Sequence, residues 1–156
     1  RAVSFWRLYR DDVHGSIAVE GAILFPLMFT LGFGAIDGAM LLLQNHKMEQ
    51  GLVAGANYLA RANNPDIVQT QAKNFAVSGS PTGQGQSRVT GWDAADITLT
   101  FRNVDNSTGQ YRAGSNVRIA ELSSSHPYAG FGFIRLVSGG RVMVNARHEE
   151  RLVRAR

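Results

Sequence analysis

The sequence predicts an α+β protein in which one long N-terminal transmembrane helix extends into a small domain with a second helix and a three-stranded antiparallel sheet. Three observations carry this. Residues 16–43 form a 28-residue apolar run with two charges and no lysine or arginine. Apolar residues at helical spacing continue beyond that run. Three later segments then alternate apolar and polar residues, as half-buried strands do.

The apolar run comes first. A helix rises about 1.5 Å per residue, so roughly 20 residues cross a hydrocarbon core about 30 Å thick. A core helix of a globular domain is rarely apolar on every face for so long. A cleaved secretory signal is usually shorter and ends at a small-residue cleavage site, whereas helix-forming sequence continues here. The expected division is therefore a cytoplasmic segment at 1–15, a span at 16–43 and an extracytoplasmic domain at 44–156. Arg7 and Arg10 precede the span and Lys47 is the only Lys or Arg in the dozen residues after it, which leaves the short N-terminus in the cytoplasm. Phe5, Trp6 and Tyr9 are mixed with Arg7 and Arg10, a pattern that suits interfacial anchors in the headgroup region or a free tail.

Within the span, Pro26 removes one backbone hydrogen bond and predicts a kink near the middle. Gly34 and Gly38 form a G-x-x-x-G with Ala35 and Ala39 beside it, and Gly51 and Gly55 repeat the spacing. Small residues let helices approach closely, so these are candidate packing faces. Carboxylates in a span are costly unless interfacial, protonated or paired. Glu20 and Asp37 are 17 residues apart, about 25 Å along a helix. Each can therefore snorkel to opposite headgroups, meet a cation on another subunit, or be read by a peptidase.

Met48, Leu52, Ala56 and Leu59 carry the helix past the membrane until Asn63-Asn64-Pro65 stops it near Ala62. Asn64 is the expected cap of a second helix, with Pro65 its first residue and an end near Val77. Residues 78–91 read as a loop, and no Gly-Lys-Ser/Thr follows to make it a phosphate cradle. Strands are expected at 96–102, with Ile97, Leu99 and Phe101 on one face; at 116–122, with Val117 and Ile119 on one face; and at 141–148, with Val142, Val144 and Ala146 on one face. Residues 105–109 make a hairpin turn. Residues 126–140 are apolar and aromatic, and read as a loop with a short helical turn packed on the sheet or on a partner. Three strands need cover on one face, and the extramembrane half of the long helix supplies it.

Composition narrows the chemistry. The chain of 156 residues has no cysteine, which excludes a disulfide framework, an iron–sulfur cluster and a thiol nucleophile. His14, His46, His126 and His148 are scattered without metal-ligand spacing, and no G-x-S-x-G occurs. Neither an enzyme nor a cofactor is expected. The net charge of +4 is concentrated after the span, where 13 Lys and Arg face 8 Asp and Glu. A solvated basic face, or attraction to anionic lipid or an acidic partner, accounts for it better than nucleic acid does, because no basic helix interleaved with stacking aromatics is present. No small-molecule substrate is expected.

This order, and the stretch HGSIAVEGAILFPLMFTLGFGAIDGAMLL above all, resembles the TadE-like family of tight-adherence (Flp-type) pilus assembly proteins, which are pilin-like minor components. Gly15 precedes the span, Glu20 lies five residues on, Pro26 six further, and Asp37 closes it. The three strand segments and 128–136 look similar too. The resemblance implies a prepilin peptidase site after Gly15, before Ser16, with Glu20 pairing with the freed amine of a neighbouring subunit. Residues 1–15 stand ahead of that point in this sequence. An uncut Glu20 must therefore find an arginine, a neighbour or the interface. The implied role is a non-enzymatic pseudopilin-type component of a tight-adherence pilus or secretion apparatus. It sits in the bacterial inner membrane with its domain in the periplasm, and its partners are the lipid bilayer and other membrane proteins met through the helix. The same fold also suits an accessory single-span subunit of a larger respiratory or photosynthetic complex.

Overall fold

A computed structural model describes residues 13–111 and 116–152. Helix α1 (Val13–Arg61) is 49 residues long, about 70 Å at 1.5 Å per residue. Pro26 lies inside it without ending it, and Thr30 Oγ1 donates to the Pro26 carbonyl at 2.7 Å. The helix stops one residue before the expected point, where the Ala62 amide turns back to the Leu59 carbonyl.

The second helix begins later than the sequence suggested. Asn64 Oδ1 accepts the Asp66 amide and the Asn64 carbonyl accepts the Ile67 amide. Asn64 therefore caps a turn over 64–67 rather than a helix. Helix α2 (Gln69–Ser78) opens after it and ends at Gly79, whose left-handed φ of 74° lets its amide reach the Phe75 carbonyl. Asp66 does not serve a helix terminus: it receives two hydrogen bonds from the Arg118 guanidinium, at 2.8 and 2.5 Å.

Strands β1 (Ile97–Asp105), β2 (Asn116–Pro127) and β3 (Met143–Arg151) make one antiparallel sheet in the order β1-β2-β3. Ile97 pairs with Ser124, Phe101 with Ala120, and Leu122 with His148. Strand β2 runs five residues past its expected end, and this decides its inner face. Ala120, Leu122, Ser124 and His126 are buried on the helix side, whereas Val117, buried, and Ile119, half-buried, share the other face outside the main core cluster. The first and third strands turn their expected faces inward, with Ile97 buried, Leu99 and Phe101 packed against the core, and Val144 and Ala146 buried. A six-residue helix α3 (Phe133–Ser138) lies between β2 and β3.

The core gathers Met48, Leu52, Ala56 and Leu59 of α1, Ala72 and Ala76 of α2, Trp92, and the inner face of the sheet. Gly51 and Gly55 are where α2 seats on α1. A β-carbon at Gly51 would lie 2.5 Å from the Ala76 carbonyl oxygen, and one at Gly55 would lie 2.7 Å from that of Ala72. The later of the two small-residue pairs is thus a packing face within the chain. On the outer face of the sheet, Arg147 bridges Glu121 and Glu149, and Arg102 meets Glu149 at 2.7 Å.

Candidate functional site

The buried stripe of α1 does not end at Met48. Followed back toward the N-terminus it passes Gln44 and reaches Asp37, which is fully buried. Asp37 lies on a helix whose neighbouring large apolar residues, Phe33, Ile36 and Met40, are exposed. Burial of a carboxylate demands donors, and they come from the far end of the chain. Tyr128 donates its hydroxyl to Oδ1 at 2.5 Å and lies 2.7 Å from the Asp37 carbonyl oxygen. The Phe131 amide reaches Oδ1 at 3.0 Å, and the Ile134 amide reaches Oδ2 at 2.7 Å.

Further contacts close this latch. Phe133 packs against α1 at Gly34, where a β-carbon would come within 3.2 Å of its ring. A β-carbon at Gly130 would overlap the Tyr128 hydroxyl and the Asp37 carboxylate, so only glycine fits there. About two turns along, Gln44 donates to the Pro127 carbonyl at 3.0 Å and accepts the Ala129 amide at 3.3 Å. Asn45 donates to the Asn145 carbonyl at 3.1 Å. Burial of the Tyr128 phenol, with the Asp37 carboxylate beside it, pushes its pKa up to about 12.

The other residues singled out in the sequence are placed as follows. Gly15 and Ser16 belong to the first turns of α1. Glu20 is exposed on α1, and no hydrogen bond or ion pair reaches it from the described residues. Pro26 is exposed. Gly38 has no atom within 4 Å of where a β-carbon would stand, so its side of the helix is open, whereas Gly34 is taken up by Phe133. Phe5, Trp6, Arg7, Tyr9 and Arg10 lie outside the described residues. Asp37 and Gly34 are therefore brought together, and Glu20 stands well apart from them. Sequence reasoning missed Tyr128, Gly130, Phe133 and Gln44 as parts of one site.

The stretch of α1 preceding the latch decides the class. Ile17, Ile23, Phe25, Met28, Phe29, Leu31 and Phe33 are each more than half exposed. This is the one described helix long and apolar enough to cross a membrane. The family model described as TadE-like protein matches residues 15–57. That stretch is TadE-like. It holds Gly15, Glu20, Pro26, Gly34, Asp37 and Gly38, and it stops inside the buried stripe of α1. No curated protein and no solved structure matches the chain. A TadE-like stretch on a single apolar helix fits a membrane-anchored component of a tight-adherence pilus, a structural rather than an enzymatic type.

His126 Nδ1 lies 3.1 Å from Asp96 and its Nε2 lies 3.2 Å from the Thr90 carbonyl oxygen, so both ring nitrogens brace the loop before β1. His148 faces Glu150 at 3.4 Å on a strand. Among the described residues no group of three or more His, Asp or Glu side chains is placed to hold a metal.

Proposed function

We propose that this chain is a single-pass inner-membrane structural and assembly component of a tight-adherence pilus or secretion apparatus, pilin-like in build. Its short N-terminus is cytoplasmic and its domain periplasmic. The observation that carries this is the union of a TadE-like apolar helix with its own folded domain. Residues 17–36 leave nearly every apolar side chain uncovered, and from Asp37 onward the same helix is the spine of the domain. A tether would need a flexible joint between the two. Here Asp37, Gln44 and Met48 form a continuous buried stripe, so the orientation of the span sets the orientation of the domain.

Glu20, exposed and unmatched within the described residues, is the natural point of contact with a cation on a neighbouring subunit. A buried carboxylate in lipid stays charged only with such a partner. The Gly38 side of α1, open in the monomer, offers a second helix close approach.

Deletion of the gene followed by electron microscopy of surface pili and an adhesion assay tests the role. Loss of pili, restored by the wild-type chain, is the expected result, and normal piliation and adhesion would sink the reading. Purification in mild detergent supplies the second arm. Co-migration with pilus-assembly proteins is expected, whereas stoichiometric recovery with a respiratory or photosynthetic enzyme would make the chain an accessory subunit instead. Intact-mass analysis of the native protein decides whether the chain begins at Ser16.

A further inference from the structure

The lobe that grips Asp37 is itself unusually apolar on its outer side. Phe131, Leu136 and Val137 are 73%, 79% and 73% exposed, three of the four most exposed large apolar residues of the folded domain. Their height along α1 is fixed by the latch: Phe133 sits on Gly34, and the Phe131 and Ile134 amides bind Asp37. Phe33, Ile36 and Met40 of α1 are exposed at that same level. Counting about 20 residues from Ile17 for a 30 Å hydrocarbon core places its outer edge near Ile36. The exposed apolar side chains of the lobe are thus continuous with the lipid-facing surface of the span, at the depth where hydrocarbon gives way to headgroups.

Charge fits the same position. Arg135 within α3 and Arg141 just after it are exposed, and with Leu136 and three glycines they line a shallow cleft of about 560 Å³. Short apolar helices edged by arginine lie in the plane of a bilayer interface, with their cations reaching the phosphates.

We propose that residues 131–141 form a second membrane contact, an interfacial foot that rests Phe131, Leu136 and Val137 in the lipid of the domain-side leaflet while Arg135 and Arg141 meet its headgroups. This rests on the reading of residues 17–36 as a membrane span. The foot and the span are held together through Asp37. The domain therefore stands on the membrane at two points and cannot swivel about the helix axis.

Because the chain has no cysteine, single nitroxide labels report single sites. The full-length protein is reconstituted in phosphatidylethanolamine–phosphatidylglycerol vesicles with Leu136→Cys or Val137→Cys. Phe29→Cys marks the mid-span and Thr108→Cys the exposed hairpin turn. Relaxation enhancement is then compared for oxygen, which concentrates in lipid, and for a water-soluble nickel chelate. The expected result is that positions 136 and 137 favour oxygen, as position 29 does, and differ in sense from position 108. Preference for the nickel chelate at 136 and 137, with position 29 still in lipid, overturns the foot and leaves the span. Low access to both reagents at 136 and 137 also overturns it, because protein then covers the patch, as in contact with a second copy. Nickel access at position 29 removes the span and the foot together. A Leu136→Ser/Val137→Ser pair, exposed positions whose change leaves the core intact, is expected to raise nickel access at a label on Phe131→Cys. No rise would count against the proposal.

Discussion

The two halves of the buried stripe on α1 are held by opposite means. From Met48 to Leu59 the stripe is apolar and fully buried, closed by α2 and the sheet without a polar atom of its own. From Asp37 to Gln44 it is polar, and hydrogen bonds from Tyr128, Ala129, Phe131 and Ile134 fill the same role. With the span placed as proposed, the solvent around each half explains the difference. Where water surrounds the domain, removing apolar surface drives packing. Beside a bilayer that drive vanishes, because lipid is as apolar as leucine, and hydrogen bonding with close packing must hold elements together. On that placement the helix changes its adhesive where its surroundings change.

The largest effect should come from the dry half. Leu52 is fully buried at the centre of the core, so Leu52→Ala is expected to destabilise the whole domain by about 2–5 kcal/mol. Thermal or denaturant unfolding followed by Trp92 fluorescence measures this, since the buried indole donates to Ser124 at 2.9 Å and reports the same core.

The wet half should fail differently. Asp37→Ala leaves two backbone amides without their acceptor and the Tyr128 hydroxyl with only the carbonyl of residue 37, and is expected to free the segment 128–138 while the distal core stays folded. Amide exchange at Phe131 and Ile134 should rise by about tenfold or more, with little change at Leu122 or Val144. Gly130→Ala should reproduce this, because its methyl group overlaps the latch. If either substitution instead lowered global stability as far as Leu52→Ala does, the two halves would be one cooperative unit and the comparison would break.

Much of the scaffold was legible because local chemistry dictates it. The Asn63-Asn64-Pro65 stop ended α1 within a residue of the expected place, and the alternation of Ile97, Leu99 and Phe101 gave the inner face of β1. Errors arose where tertiary context chose between local options. Asn64 could cap a helix or a turn, and the Asp66–Arg118 pairing goes with the turn. In β2 Val117 and Ile119 do share one face, but it is the outer one; the inner face is Ala120, Leu122, Ser124 and His126, residues with weaker strand character. The latch was the least legible part. Two of its donors are backbone amides 94 and 97 residues away from Asp37, and a backbone amide carries no residue signature. One signal was present: Asp37 and Gln44 lie eleven and four residues before Met48, on the stripe already assigned to the core.

Alkali should open the latch before the core. Tyr128 is held neutral up to about 12 against an ordinary value of 10.0. A raised folded-state pKa gives stability that is complete below pH 10 and lost as pH rises toward 12. The lobe should therefore stay docked where ordinary tyrosines ionise and release only above that range. Ultraviolet difference titration of the wild type against Tyr128→Phe identifies the late-ionising phenol. Ionisation of every tyrosine near pH 10 would show that the latch does not shield it.

Acid should have the smallest effect, and on the other side of the domain. The Arg118 guanidinium, through its paired hydrogen bonds, holds the Asp66 carboxyl below its ordinary 3.8. A lowered folded-state value means that the contribution is complete above pH 3.8 and is lost as pH falls below it. The Glu149 carboxyl, lowered by its hydrogen bond with Arg147, moves in the same direction. Both pairs are open to water, with Asp66 52% exposed and Arg147 60% exposed, so screening keeps each contribution small. Asp66→Asn is expected to cost little at neutral pH and to remove part of the decline in stability below about pH 4. The difference between variant and wild type should shrink in high salt. A salt-independent difference would mean that Asp66 acts through the turn it shares with Asn64, whose side chain accepts the Asp66 amide whether or not the carboxylate is charged.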